Sequence, residues 1–268
     1  MIDKTAIIHP TAQIAEDAII GAYVVIGENV KIGNKTQVHS HVSIEFTEIG
    51  EGCTISSFAT IGSAPQDLGY KGEVTKVVIG NGTIIKENVT VHRGAACGDF
   101  TTRIGDKCLL MVGSHVAHNC VLDDQVILAN LATLGGHVHV GFGAFIGGMS
   151  VFHQNIKIGD MAIVSGFSAS RQDILPYAKY DGRPCSPRGL NVIALKRRGV
   201  PLEVRTNVNK AFKLFISGEY NTTQTIEKIQ NEIPTNEYIE KMIEFIKNSK
   251  RGVVLKPKNN PQSLSEEL

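Results

Sequence analysis

Four of the nine histidines recur at related places along the chain. His92, His118, His137 and His153 each follow, within three residues, an apolar residue: Val91, Val116, Leu134 and Phe152 in turn. A neutral imidazole titrates near working pH and can take a proton from a hydroxyl, so a cluster of them offers general-base chemistry. Imidazoles also ligate metals, but neither a His-x4-His pair nor a CxxC pair accompanies these, and no metal is expected. The bland alternative is a ladder of polar side chains on a solvated corner. Five widely spaced cysteines (Cys53, Cys97, Cys108, Cys120, Cys185) read as buried reduced thiols rather than a disulfide framework.

The elements that must bring the histidines together are written in a period of six. Apolar residues stand at every sixth position from Ile2 through Ile8, Ile14, Ile20, Ile26, Ile32 and Val38 to Ile44, resume at Ile49, Ile55 and Ile61, and again at Ile79, Ile85 and Val91. A last run is unbroken from Ile104 to Val164. Six matches neither a helix nor a two-faced strand, and it is the mark of a parallel β-helix, one short strand and one corner per hexad. Three hexads close a triangular coil, so Val91, Val116, Leu134 and Phe152 stack and their histidines gather at one edge. Two insertions, after Ile61 and after Val91, leave from that same corner.

Composition agrees with this architecture. Of 268 residues 27 are Gly, none is Trp and aromatics make up 6%, which suits a narrow prism filled with aliphatics and turned at tight corners closed by glycine. With 42% apolar and 20% charged residues, disorder and coiled coil are poor descriptions. No apolar run is long enough for a membrane helix and no signal peptide is visible, so the chain reads as cytoplasmic without stable membrane insertion. Net charge is +1 and no nucleic-acid motif occurs, which argues against a nucleic-acid partner. The charge is divided, however: residues 179–268 hold 16 Lys or Arg against 10 Asp or Glu. Hexads cease near Leu175, and helical spacing appears across Leu202–Ser217 and from Asn236 to Lys250, where Ile239, Met242, Ile243 and Ile246 share a face. The polar end KPKNNPQSLSEEL is expected to fray.

Several segments are far more specific than the hexads: IGSAPQDLGYKGE, VHRG, LLMVGSHVAHNC, ILANLATLGGHV, IGGMSVFHQ, LPY and GLNVIALKRRG. Through them the chain resembles the UDP-N-acetylglucosamine acyltransferases of lipid A biosynthesis, from its first residues to near residue 254. The resemblance implies a left-handed parallel β-helix over residues 1–190, then a small helical domain over 191–268. It implies a homotrimer that, without a cofactor, transfers a 3-hydroxyacyl group from acyl carrier protein to the 3-hydroxyl of UDP-N-acetylglucosamine, the first step of lipid A biosynthesis. The related N-acyltransferase, or acylation of a 3-amino UDP-sugar, is the alternative.

By position, the resemblance makes His118 the general base, Asn119 its neighbour and Gly136 the oxyanion-binding residue. Gln66, Asp67, His115, His137, His153 and Gln154 match substrate contacts, Asn191, Arg197 and Arg198 match nucleotide contacts, and Gly166 matches the position that sets acyl-groove length, where glycine implies a long chain. Three residues depart from the family pattern: Gly69 stands for a usual Lys, Asn119 for Asp and Ile193 for Glu. The basic stretch 171–213, with ten Lys or Arg against three Asp or Glu, suits docking of the acidic carrier protein.

Overall fold

The computed structural model describes residues 1–255; the polar end expected to fray, residues 256–268, lies outside them. The hexads wind into a three-sided parallel β-helix. One face is a nine-stranded sheet, the second has eight strands and the third has ten. Each of the strands from Ile7–Ile8 to Ile163–Val164 carries one hexad anchor. Every anchor from Ile20 onward is at most 4% exposed and stacks on the anchors above and below it, as in Ile61 on Val91 and Val91 on Val116. Burying one such side chain contributes about 1.5–3 kcal/mol, so the stack supplies most of the solenoid's stability.

Glycine serves the corners differently from the sequence expectation. Apart from Gly62, whose φ is +86°, the glycines that follow anchors do not make the left-handed turn. They stand where successive coils approach closely: a Cβ on Gly33 would lie 2.7 Å from the backbone of Gly50, and one on Gly147 would lie 2.3 Å from Gly166 N. The left-handed turn falls three residues after the anchor and is held mostly by other residues, among them Tyr23, Lys35, Asn119 and His137. Stacked coils over-determine that conformation, which offsets its local cost. The shortened hexad after Ile44 turns at Phe46 instead.

Strand Ala178–Asp181 prolongs the third sheet, and Ser186–Leu190 pairs antiparallel with it. Four helices follow: α1 (Val192–Arg197), α2 (Leu202–Ser217), α3 (Thr222–Glu232) and α4 (Glu237–Lys247). Gly218, left-handed, ends α2, and Ile239, Met242, Ile243 and Ile246 form the buried stripe of α4. After α4 the chain straps back onto the coil, where Val254 N donates to Asp173 O and the Val254 carbonyl accepts from the Tyr180 hydroxyl. None of the helices is long and apolar enough to cross a membrane.

Candidate active site

The first sheet stacks strands Thr60–Ser63, Thr90–His92, His115–Val116, Thr133–Leu134 and Val151–Phe152. The corner that leads from it to the second sheet carries the candidate site. Both insertions, residues 64–75 and 93–100, leave the solenoid here. Repeat geometry places His118 and Gly136 at equivalent points of successive coils, with Asn119 and His137 one residue further on. The His137 N–H donates to the His118 carbonyl, and the rings of His118 and His137 meet edge to face with centroids 5.2 Å apart.

Asn119 fixes the state of His118. Its Oδ1 accepts from the Ala95 N–H at 2.9 Å while its Nδ2 donates to the Ala95 carbonyl at 3.1 Å, so the amide has one orientation. His118 Nδ1 lies 2.9 Å from the same Oδ1 and must therefore be the donor. The neutral tautomer then carries its proton on Nδ1 and presents a lone pair at Nε2. That lone pair stands over the backbone of Gly136, where a Cβ would fall 2.7 Å from both Nε2 and Cε1 of the ring. Among the described residues no acceptor is bonded to the Gly136 N–H. A proton acceptor thus lies beside a residue whose backbone N–H is unbonded among the described residues.

Neighbouring groups keep the corner neutral where it is buried. Burial, together with His92 and His118, pushes His115 down to about 4, and its Nδ1 shares a hydrogen bond with Thr90 Oγ1 at 2.7 Å. Burial also lowers His92, whose ring packs edge to face on His115 and whose buried Nδ1 has no hydrogen-bond partner among the described residues. His137 is lowered by burial and by His118. Asp67 is held below the usual carboxylate range, first by the Gly69 N–H that donates to its Oδ1 at 2.8 Å and then by the Cys97 thiol.

Three residues of this corner escaped the sequence analysis. Arg93 staples the first insertion down: its Nη1 donates to the Gly62 carbonyl at 2.7 Å, its Nε and Nη2 reach the Tyr70 hydroxyl, and its guanidinium lies over the Phe46 ring. Cys97 is exposed, contrary to the expectation of five buried thiols; the other four are buried. It lies in an insertion where no hexad dictates an inward side chain. Gly98 sits so close that a Cβ would meet Asn119 Nδ2 at 2.5 Å, which lets the second insertion lie flat over the site. The position of that insertion in the histidine column was the available signal.

The remaining expected residues are spread more widely. Gln66 is exposed on the loop beside Asp67. His153 and Gln154 stand one coil further on, where Arg251 Nη2 lies 3.2 Å from both His153 Nδ1 and the Gln154 carbonyl. Gly166 belongs to another corner, between the third and first sheets, against Gly148 of the preceding coil. Arg197 and Arg198 line a third edge, a cleft of about 510 Å³ with Gln125, Gly143, Met161 and Ala194. There Arg198 donates to Gln125 Oε1 at 2.9 Å and covers the Phe142 ring. Asn191 is buried and does not face this cleft; its Nδ2 donates to the Met161 carbonyl and its Oδ1 caps α1 through Ala194 N. It positions the helix that ends at Arg197 and is followed by Arg198 as its C-cap. Exposed Ile193 stands on that helix.

Comparison with known proteins decides what this arrangement belongs to. The chain is 46% identical over 253 residues to the acyl-(acyl-carrier-protein)–UDP-N-acetylglucosamine O-acyltransferase of Thermodesulfovibrio yellowstonii, covering 94% of this chain and 98% of that protein. The chain belongs to the UDP-N-acetylglucosamine O-acyltransferase family. Residues 173–254 match the family described as UDP N-acetylglucosamine O-acyltransferase, domain 2, and residues 2–97 match that described as GMPPB C-terminal domain. The structure of LpxA from Acinetobacter baumannii superposes with a TM-score of 0.92 at 38% identity, covering 94% of this chain and 99% of that one. LpxA from Bacteroides fragilis gives 0.92 at 34% identity, over 95% and 100%. The fold is the left-handed parallel β-helix of that family, and the protein is an acyltransferase.

Proposed function

We propose that this enzyme transfers a 3-hydroxyacyl group from acyl carrier protein to the 3-hydroxyl of UDP-N-acetylglucosamine, with His118 as general base. The observation that carries this is the Asn119 clamp, which leaves the Nε2 lone pair of His118 over Gly136. Nε2 takes the sugar hydroxyl proton as that oxygen attacks the thioester carbonyl. The oxygen of the resulting tetrahedral intermediate faces the Gly136 N–H, a donor aimed where charge develops. Collapse breaks the carbon–sulfur bond, and the leaving thiolate receives the proton from His118.

Asp67 and Gln66 bind the sugar from the first insertion, His115 and His137 border it, and His153 with Gln154 extends the contact surface. Arg197 and Arg198 hold the diphosphate through planar, forked donors, with Asn191 fixing their helix. Gly166 leaves the acyl groove long. His118 and Arg198 lie on different edges of one coil, which supports a site completed by a second copy and hence a homotrimer. The basic stretch 171–213 docks the acidic carrier protein.

The test is transfer by purified protein with UDP-N-acetylglucosamine and carrier proteins loaded with different chains, the 3-amino sugar competing as acceptor. His118→Ala should lower turnover by about 10²-fold or more; unchanged transfer would sink the mechanism. Reversing Arg183 or Arg188 to Glu should raise KM for the carrier in a salt-sensitive way, and no change would rule out docking on this face.

A further inference from the structure

The corner of His118 holds one ligand-type side chain that acyl transfer does not use, the exposed thiol of Cys97. Cys97 Sγ lies 3.3 Å from His137 Nε2 and 3.4 Å from Asp67 Oδ2. Ligand atoms of Cys97, His118 and His137 all fall within 4.8 Å of one another. Ligands around a tetrahedral zinc, bonded at about 2.0–2.3 Å, stand roughly 3.3–3.6 Å apart, so the Cys97–His137 pair already has that spacing and His118 needs only a small swing. We infer that Cys97 Sγ, His118 Nε2 and His137 Nε2 form a binding site for Zn²⁺ or a similar thiophilic divalent cation, with Asp67 swinging in from beside the thiol as fourth ligand, and that occupancy switches acyl transfer off.

Three further features fit a metal. Asn119 accepts from His118 Nδ1, which is the outer hydrogen bond that orients a ligating imidazole and aims its other nitrogen. The Gly69 N–H binds Asp67 Oδ1 and leaves Oδ2 turned to the thiol. The rings of His118 and His137 stand edge to face with centroids 5.2 Å apart, which puts both imidazoles within reach of one ion. Soft thiolate and imidazole select zinc or cobalt over magnesium or calcium. On binding, the thiol releases its proton to solvent and the sulfur bonds the metal as thiolate. The metal then holds the Nε2 lone pair, so no proton can be taken there.

The site itself stands on geometry alone; the switch rests on the acyl-transfer reading, so the test has two arms. The first titrates Co²⁺ into the full-length protein and into Cys97→Ser and Cys97→Ala, each checked for an unchanged melting point. Wild type should show intense visible bands of tetrahedral cobalt and a near-ultraviolet thiolate-to-cobalt band. Both cysteine variants should lose the latter and bind at least 10-fold more weakly. Absence of the thiolate band from wild type, or its persistence in the variants, overturns the site. The second arm measures transfer against Zn²⁺, each protein relative to its own metal-free rate. Wild type should be inhibited, recover with a chelator, and be at least 10-fold more sensitive than Cys97→Ser; a thiolate band without inhibition overturns the switch. Failure of the acyl-transfer reading shows separately, as no metal-free turnover.

Discussion

Substituting Gly136 by Ala separates chemistry from folding. The new Cβ would lie 2.7 Å from Nε2 and Cε1 of His118, whereas ordinary contact begins at 3.4 Å, so the ring must retreat by about 0.7 Å. Moving the ring also misaligns Nδ1 against its 2.9 Å bond with Asn119. A base displaced by most of an ångström costs up to about 10²-fold, and restricted approach to the Gly136 N–H adds to that. The expected fall in kcat/KM is about 10²–10³-fold, or roughly 2.7–4 kcal/mol, carried mostly by kcat. Gly136 is outside the left-handed region, so alanine fits the backbone and stability should hold or rise by about 0.4–1 kcal/mol. Gly135→Ala is the counterpart. Its Cβ meets Gln154 N at 2.9 Å and Phe152 O at 3.0 Å, backbone that cannot yield, so it should cost about 1–3 kcal/mol of stability. Steady-state transfer with both substrates varied, beside thermal unfolding, checks the pair. A Gly136→Ala enzyme that keeps more than about a third of wild-type kcat/KM, or melts as low as Gly135→Ala, refutes the geometry.

Two other variants test the same corner. Asn119→Ala removes the tautomer clamp and orphans both polar groups of Ala95, so turnover should fall about 10–100-fold and residues 95–100 should exchange amide hydrogens faster; full activity would mean that Asn119 does not orient the base. His115 has a folded value of about 4 against an ordinary 6.5, so between those values the unfolded chain binds more protons and stability rises with pH, flattening above about 6.5. His115→Gln should remove on the order of 2 kcal/mol of that slope, allowing for partial exposure. Melting of both proteins at pH 7 and pH 4.5 decides it, and parallel losses would show that burial does not hold His115 neutral.

The solenoid was legible because one inward aliphatic per hexad is a constraint that no coil can relax: Val91, Val116 and Leu134 stack as their spacing requires. The edge shared by the histidines followed from the same register. Corner chemistry was less legible. Positive φ is ordinarily read from Gly or Asn, yet Tyr23, Lys35 and Phe58 hold it here because the coils on either side leave no other path. Insertions were hidden for the opposite reason. With no repeat to set direction, nothing in the sequence turned Arg93 onto Gly62 and Tyr70, or brought Cys97 to His137. The capping role of Asn191 was not legible, because matching a motif does not show which backbone groups a side chain also holds.

Separation of the histidine and arginine edges yields a test of assembly that needs no structure of the oligomer. His118 follows a strand of the first sheet, while the Arg198 cleft is lined by Gln125, Gly143 and Met161, each after a strand of the second. If each site takes its base from one chain and its arginines from the next around a closed ring, His118→Ala and Arg198→Ala chains are each inactive or impaired alone, but complement when mixed. Equal mixing by unfolding and refolding leaves about one site in four with both residues intact, so activity should recover to about a quarter of wild type. Were both residues of a site supplied by one chain, no mixture could contain an intact site. Activity would then remain at the average of the two parents, and the shared site would be refuted.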